Sequence, residues 1–146
     1  MNRQSGLSVL ELLATLAILA VVATVTTINL EPAEAPLQTG SRLVEGAIQQ
    51  ARSSAIATTS AYRVRPGSAS RLVVERAGEC DDADWIDEPR AAVDLPDEVT
   101  VTDTGWSVCF TRRGIANDNV MVTLVHPRLG SRRVEVFLGG ATRVIR

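Results

Sequence analysis

The chain has 146 residues, with fifteen basic residues, all arginine, against seventeen acids and a formal net charge of −2. That near-balance names no partner. Beyond the first thirty or so residues, about 110 remain, enough for one small domain with one core, and nothing suggests a second.

The chain opens on a short basic stub, Met1-Asn-Arg-Gln-Ser-Gly6. Residues 7–28 then form an apolar stretch broken by one charge, Glu11. The other polar residues in it, Ser8, Thr15, Thr24, Thr26 and Thr27, carry small hydroxyls that can bond back to a helix backbone. As a helix the stretch would measure about 33 Å, close to the thickness of a bilayer core. A spanning helix satisfies its own backbone groups in lipid. A carboxylate inside such a helix is costly unless it is paired or neutralised.

The string Gly6-Leu-Ser-Val-Leu-Glu11-Leu-Leu resembles the prepilin processing motif, a glycine before an apolar residue with glutamate fifth after the cut. In that family a dedicated membrane peptidase cleaves after the glycine, and the new N-terminus is usually N-methylated. The resemblance implies cleavage between Gly6 and Leu7 and methylation at Leu7. It gives Glu11 an assembly role, in which its carboxylate meets the N-terminal amine of an adjacent subunit. Two unpaired charges in an apolar medium are costly, and a matched pair offsets much of that cost. Leu7 departs from the phenylalanine most common at that place. The rival is an ordinary secretory signal, which is cut after its apolar stretch. Ala20-Val-Val-Ala23 makes a poor site of that kind, and a glutamate inside such a signal is unusual.

Pro32 and Pro36 follow, and predict a kink or a short break. Helical pattern resumes at Leu37 or Ser41 and runs to about Ser60. Leu43, Val44, Ala47, Ile48, Ala51, Ala55 and Ile56 share one face, with Arg42, Glu45, Gln49, Arg52 and Ser53 opposite.

From Ala61 the chain reads as strands, with candidates at 61–65, 71–76, 99–103, 107–111, 120–126, 132–138 and 143–145. Pro66-Gly67, Arg128-Leu-Gly130 and Gly139-Gly140 mark turns, the last joining a hairpin. Residues 81–89 are acidic and read as an exposed loop. Trp106, Phe110 and Phe137 are expected in the core. The resulting division is a leader over 1–6, a transmembrane and assembly helix over 7–30, an amphipathic stem helix over 31–60 and a β-rich head over 61–146. The fold class is α+β and pilin-like, a long N-terminal transmembrane helix packed on a C-terminal antiparallel sheet or sandwich.

The cysteines are Cys80 and Cys109. They could form a bridge or remain two unpaired, buried thiols. Export would place the head where disulfides persist and favours the bridge. It would close a loop of about thirty residues, assigned roughly 3–4 kcal/mol by the chain-entropy model. Two cysteines and the single His126 are too few for structural zinc. Asp81, Asp82 and Asp84 lack the glycine turn and closing glutamate of an EF-hand. Neither a metal nor a cofactor is expected. Ser53 and Ser54 have no nucleophile elbow and His126 has no motif partner, so no enzyme is expected.

Within the pilin-like superfamily the chain most resembles the GspH/FimT group of minor pseudopilins. Ala51-Arg52-Ser53-Ser54-Ala55 is similar to that group's Ala-Arg-Ser-x-Ala, and Phe110 with Gly114 to its Phe-x-x-x-Gly segment. The resemblance implies a structural subunit of a type II secretion or type IV pilus filament. Its partners would be other pilin or pseudopilin subunits, the prepilin peptidase and an inner-membrane assembly platform. The subunit would pass the inner membrane once, with its head in the periplasm or outside the cell, before joining the filament.

Charge is uneven along the head. Acids dominate from Glu75 to Thr104, and arginines from Ser107 onward. Arg112, Arg113, Arg128, Arg132, Arg133 and Arg143 could form a phosphate-binding patch for DNA uptake. The bland reading is a set of solvated residues that pair with the acids. DNA-binding members of the group resemble Gly-Arg-x-Arg near the C-terminus, where this chain has Gly140-Ala-Thr-Arg143. No aromatics interleave with the arginines to stack bases, and DNA is the less favoured partner. A further alternative is a membrane-tethered binding module that never polymerises.

Overall fold

The computed structural model describes residues 9–27 and 35–145, in two compact units, Met1–Ala33 and Glu34–Arg146. The first unit contains helix α1 (Val9–Thr27), with Glu11 in its first turn. Its sequence is apolar around the whole circumference. Thr15 donates its hydroxyl to Leu12 O at 2.9 Å, satisfying itself within the helix. Leu12, Leu13, Leu16, Ile18 and Leu19 are each more than half exposed. A helix with no polar face needs cover from lipid or protein. Among the described residues no helix is long and apolar enough to cross a membrane. The span expected over residues 7–28 reaches beyond the described residues at both ends. Gly6 and Leu7 lie outside them.

The second unit opens with α2 (Ala35–Thr58). Pro32 lies outside the described residues. Pro36, expected to mark a break, instead sits in the first turn of α2, where its missing N–H has no helical partner to lose. Leu37, Gly40, Ser41, Val44, Ala47, Ile48, Ala51 and Ala55 are buried along one stripe at three- and four-residue spacing. Leu43 and Ile56, expected on that stripe, fall at its margins and stay exposed. The helix ends at a left-handed Thr59 (φ 53°), and Ser60 N–H reaches back to Ala55 O at 3.3 Å. That pairing is a Schellman closure, with threonine where glycine is usual.

Two antiparallel sheets follow. In the first, β1 (Ala61–Ser68) pairs with β2 (Arg71–Ala77) and β6 (Val108–Phe110). Pro66 and Gly67 do not turn the chain as expected. They stay in β1, where the register shifts between Pro66 and Ser68, and the turn falls at residues 69–70. The far edge of β2 takes two short strands, β3 (Ile86–Asp87) and β4 (Val93–Asp94), on either side of a 3-10 turn at Pro89–Ala91. The second sheet runs in the order β5 (Thr100–Val101), β7 (Val120–His126), β8 (Gly130–Val136), β9 (Thr142–Ile145).

The inner faces of both sheets meet the α2 stripe in one core. The first sheet contributes Val64, Leu72, Val74, Val108 and Phe110, and the second Val122, Leu124, Val134 and Val136. Each such side chain adds roughly 1.5–3 kcal/mol on burial. All of these residues belong to Glu34–Arg146, so this unit carries its own core. Phe110 is fully buried and Trp106 packs partly buried against the core. Phe137 does not. It is 40% exposed, because β8 turns Val134 and Val136 inward and sends Glu135 and Phe137 out.

Cys80 and Cys109 form a disulfide, their Cα atoms 5.9 Å apart. The bridge ties the segment before β3 to β6. Ile86 then pairs with Arg76, so the segment expected as a free acidic loop contributes an edge strand. Replacing both cysteines by serine should lower the stability of the isolated 34–146 unit by about 3 kcal/mol, read from its urea unfolding midpoint. A loss below about 1 kcal/mol would show that strand pairing alone retains the segment.

Candidate functional site

The polar face of α2 is as fully engaged as its apolar one. Glu45, Gln49 and Arg52 lie one turn apart on it and are half-buried. Thr142 at the start of β9 donates its hydroxyl to Glu45 Oε1 at 2.8 Å and accepts from Gln49 Nε2 at 3.1 Å. Arg52 Nε donates to Gly114 O at 3.0 Å, and its Nη1 donates to Gly140 O at 3.3 Å. One guanidinium thus joins the helix to the loop after β6 and to the turn between β8 and β9.

Both accepting residues are glycines in the left-handed region, Gly114 at φ 72° and Gly140 at φ 74°. A Cβ on Gly140 would stand 2.6 Å from Arg52 Nε and 2.8 Å from Gly114 O. A Cβ on Gly114 would stand 2.7 Å from Ile56 Cδ1. The three stretches Ala51–Ala55, Phe110 to Gly114 and the C-terminal hairpin therefore meet at Arg52. A positively charged donor on backbone carbonyls is among the stronger neutral-acceptor contacts.

A second polar cluster lies on the outer face of the first sheet. Glu75 is 4% exposed, and its carboxylate is held by Arg63 Nη2 and Arg65 Nη2, each at 2.7 Å. The hydrogen bond from Arg65, with help from Arg63, holds the Glu75 carboxyl below the usual carboxylate range against the opposing effect of burial. The Trp85 ring lies 4.1 Å from the Arg63 guanidinium carbon and donates its own N–H to Asp82 O at 2.8 Å. Asp82 in turn accepts the Glu79 N–H at 2.8 Å, while Asp81 and Asp84 are exposed. His126 is buried on the second sheet. Its Nδ1 accepts the Arg128 N–H at 3.2 Å, which leaves Nε2 facing Glu98 at 3.3 Å.

The six arginines named for DNA do not share one open surface. Arg112 is ion-paired with Glu79, and Arg113 is exposed in the same loop after β6. Arg128 is exposed in the β7–β8 turn. Arg132 is buried on the inner face of β8, while Arg133 points outward from the same strand. Arg143 on β9 is ion-paired with Glu135 at 2.8 Å. Glu11 is exposed on α1. Arg52, Gly114 and Gly140 are the positions whose joint role sequence periodicity missed.

Residues 41–140 match the family model of the type II transport protein GspH. This chain belongs to the GspH family. Residues 1–27 of this GspH-family chain also match the prokaryotic N-terminal methylation motif. A search of curated protein sequences finds no significant match. The fold is similar to that of the type IV minor pilin FimU of Pseudomonas aeruginosa strain PAO1. In one crystal form the identity is 16% and the TM-score 0.59, over 75% of this chain and 88% of that one. It is also similar to the minor pseudopilin EpsH from the Type 2 Secretion System of Vibrio cholerae. There the identity is 12% and the TM-score 0.58, over 75% of this chain and 96% of that one.

Two measurements test this geometry. Gly140→Ala should destabilise the GspH unit by about 2 kcal/mol or more, through a left-handed alanine and the Arg52 clash. Gly139→Ala, whose Cβ meets nothing within 4 Å, should change the thermal midpoint little. The Glu75 contribution should be complete above the carboxyl's unfolded pKa and fade as pH falls through its lower folded value. In Glu75→Gln, stability near neutral pH should fall by on the order of 2 kcal/mol, and the acid limb of the stability curve should flatten. An unchanged acid limb would remove Glu75 from that role.

Proposed function

We propose that this chain is a minor pilin or pseudopilin, a structural subunit held in the inner membrane before joining a type IV pilus-like filament. The observation that carries the reading is the union, on one chain, of the methylation motif over residues 1–27 and a GspH head over residues 41–140. Helix α1, which lies within the first of these stretches, supports it. Leu12, Leu13, Leu16, Ile18 and Leu19 of α1 are exposed, and apolar side chains in that number require an apolar surrounding. A lipid bilayer supplies one before assembly, and the packed helices of neighbouring subunits supply another afterwards. The two structural neighbours are named for a pilus and for a secretion system, so the reading stops at the filament subunit.

Glu11 is the one acid on that helix. Cleavage after Gly6 by a prepilin peptidase creates an amine at Leu7, four residues before it. An ammonium and a carboxylate entering the same apolar core are each costly alone and offset one another when paired across neighbours. The pair also sets the axial stagger between subunits. The head remains on the outer side of the membrane, where its disulfide persists.

Mass spectrometry of the mature protein should show a first residue at Leu7 carrying an N-methyl group. A first residue beyond Ala23 would mean that the helix had been discarded, and the filament reading would fall with it. Glu11→Ala should reduce incorporation into the sheared filament fraction on the order of tenfold or more, the effect of stranding one charge of a buried pair. Cys80–Cys109 oxidation and head folding should be unaffected.

A further inference from the structure

His126 is the chain's single histidine, and it closes β7 with its ring turned inward and 8% exposed. Its two ring nitrogens have different tasks. Nδ1 accepts the Arg128 N–H at 3.2 Å, so Nδ1 carries no proton and the ring is neutral. The remaining ring proton sits on Nε2, which faces Glu98 Oε2 at 3.3 Å. Residues 127–129 form the turn into β8, and Pro127 has no N–H to give. Leu129 donates its N–H to His126 O at 3.3 Å. His126 thus supplies an acceptor for each of the turn's two N–H groups, one from its backbone and one from its ring. The ring nitrogen takes the place of the side-chain oxygen in an Asx-turn. Leu129 packs partly buried against the core, and Arg128 is exposed.

The residue on the other side of the ring is strained. Glu98 lies in the left-handed region at φ 64°, which residues with a Cβ rarely adopt. Its neighbours fix it there, since Val99 is buried and donates its N–H to Pro96 O at 3.0 Å. The Glu98 carboxylate is thereby brought to Nε2. Strained residues of this kind concentrate at sites that switch.

The other charges around the ring come from several elements. Asp97 is exposed beside Glu98, and Arg128 is exposed on the turn. Arg132 is buried on the inner face of β8, two residues past Gly130, the partner of His126. α2 packs on β7 and β8, and its first turn, Ala35 to Gln38, has no titratable side chain. Farther along α2, Arg42 is exposed, and Glu45 and Arg52 are held at Thr142, Gly114 and Gly140.

We propose that His126 is a proton-operated latch on the β7–β8 turn. Its neutral ring holds the turn shut through Nδ1, and a proton taken up there from water releases it. Imidazole is the side chain that ordinarily changes charge between about pH 5 and 8. Nδ1 is the only ring nitrogen with a lone pair to offer, so the second proton must bind there. An N–H then faces the Arg128 N–H, and the acceptor of that bond is gone. The imidazolium meets Glu98 as a charged pair, a stronger contact than the neutral one, so the ring stays. Arg132 opposes the new charge and Glu98 offsets it. The turn gives instead, and Arg128 and Leu129 move at one end of the second sheet. A head on the outer side of the membrane shares the pH of its surroundings, so the latch adds a response to acid to the filament reading above. The latch itself does not depend on that reading.

The test uses the isolated 34–146 unit labelled with nitrogen-15, and its first arm needs no variant. Ring nitrogen shifts and the Arg128 amide protection factor are followed together from about pH 8 to about pH 5. At the alkaline end the shifts should show the Nε2–H tautomer. As the ring takes up its proton, Arg128 protection should fall about fivefold to tenfold, the effect of losing one hydrogen bond. The fall should share the ring's midpoint, while Val122 and Leu124 within β7 keep their protection. His126→Asn places a non-titrating oxygen near the Nδ1 position, and there Arg128 should stay protected throughout. Glu98→Gln should move the ring midpoint to lower pH, because the imidazolium loses its counter-charge. Arg128 protection that ignores the ring titration, or that falls equally in His126→Asn, would overturn the proposal. So would a ring that stays neutral down to about pH 5, or one whose neutral form carries its proton on Nδ1.

Discussion

Arg52 holds together parts of the head that the chain visits at quite different times. Its guanidinium reaches Gly114, 62 residues away in sequence, and Gly140, 88 residues away. The hydrophobic stripe of α2 brings both sheets to the helix, but apolar contact is non-directional and leaves sliding and rotation open. Directed hydrogen bonds to two carbonyls remove that freedom. The glycines are the other half of the arrangement, because only a residue without a Cβ lets those carbonyls turn toward the arginine without a clash. Gln49 and Glu45 extend the same face to Thr142 and carry the control on to the final strand.

The head is thus organised about a helix with two working faces. One face gathers the core, and the other places the loop after β6 and the C-terminal hairpin. The outer side of the second sheet inherits its geometry from this, since β8 and β9 are set by the hairpin that Arg52 and Gln49 hold. The turns of this head are thereby fixed as firmly as its strands.

Much of this is legible in the amino-acid order, for a physical reason. Long regular elements impose a period on burial. The stripe of α2 and the strands β1, β2, β7 and β8 show it at 3.6 or two residues. β3 and β4, two residues each, are too short to show any period and exist because β2 and a distant disulfide receive them. Pro36 misleads because a proline that breaks a helix interior is harmless in a first turn. Size argues for Phe137 in the core, although its alternation with Val134 and Val136 puts it outside. The same alternation, read one step earlier, sends Arg132 inward and parts it from Arg133. Glu45, Gln49 and Arg52 are legible as a polar face but not as a clamp, since periodicity reports which side is wet and says nothing about carbonyls far along the chain. The N-terminal motif is readable outright, because a lone carboxylate among leucines is chemically conspicuous.

The disulfide also distinguishes two forms of the head, reduced and oxidised. Without the Cys80–Cys109 bridge, β3 is kept against β2 by its two-residue pairing, the Arg76–Glu88 pair and the Trp85 ring over Arg63. A newly exported, still reduced head would then present the rim of a sheet with unsatisfied amides and carbonyls, the kind of rim that recruits stray strands. Oxidation fastens β3 over that part of β2. By that reasoning the reduced head is the more aggregation-prone of the two forms.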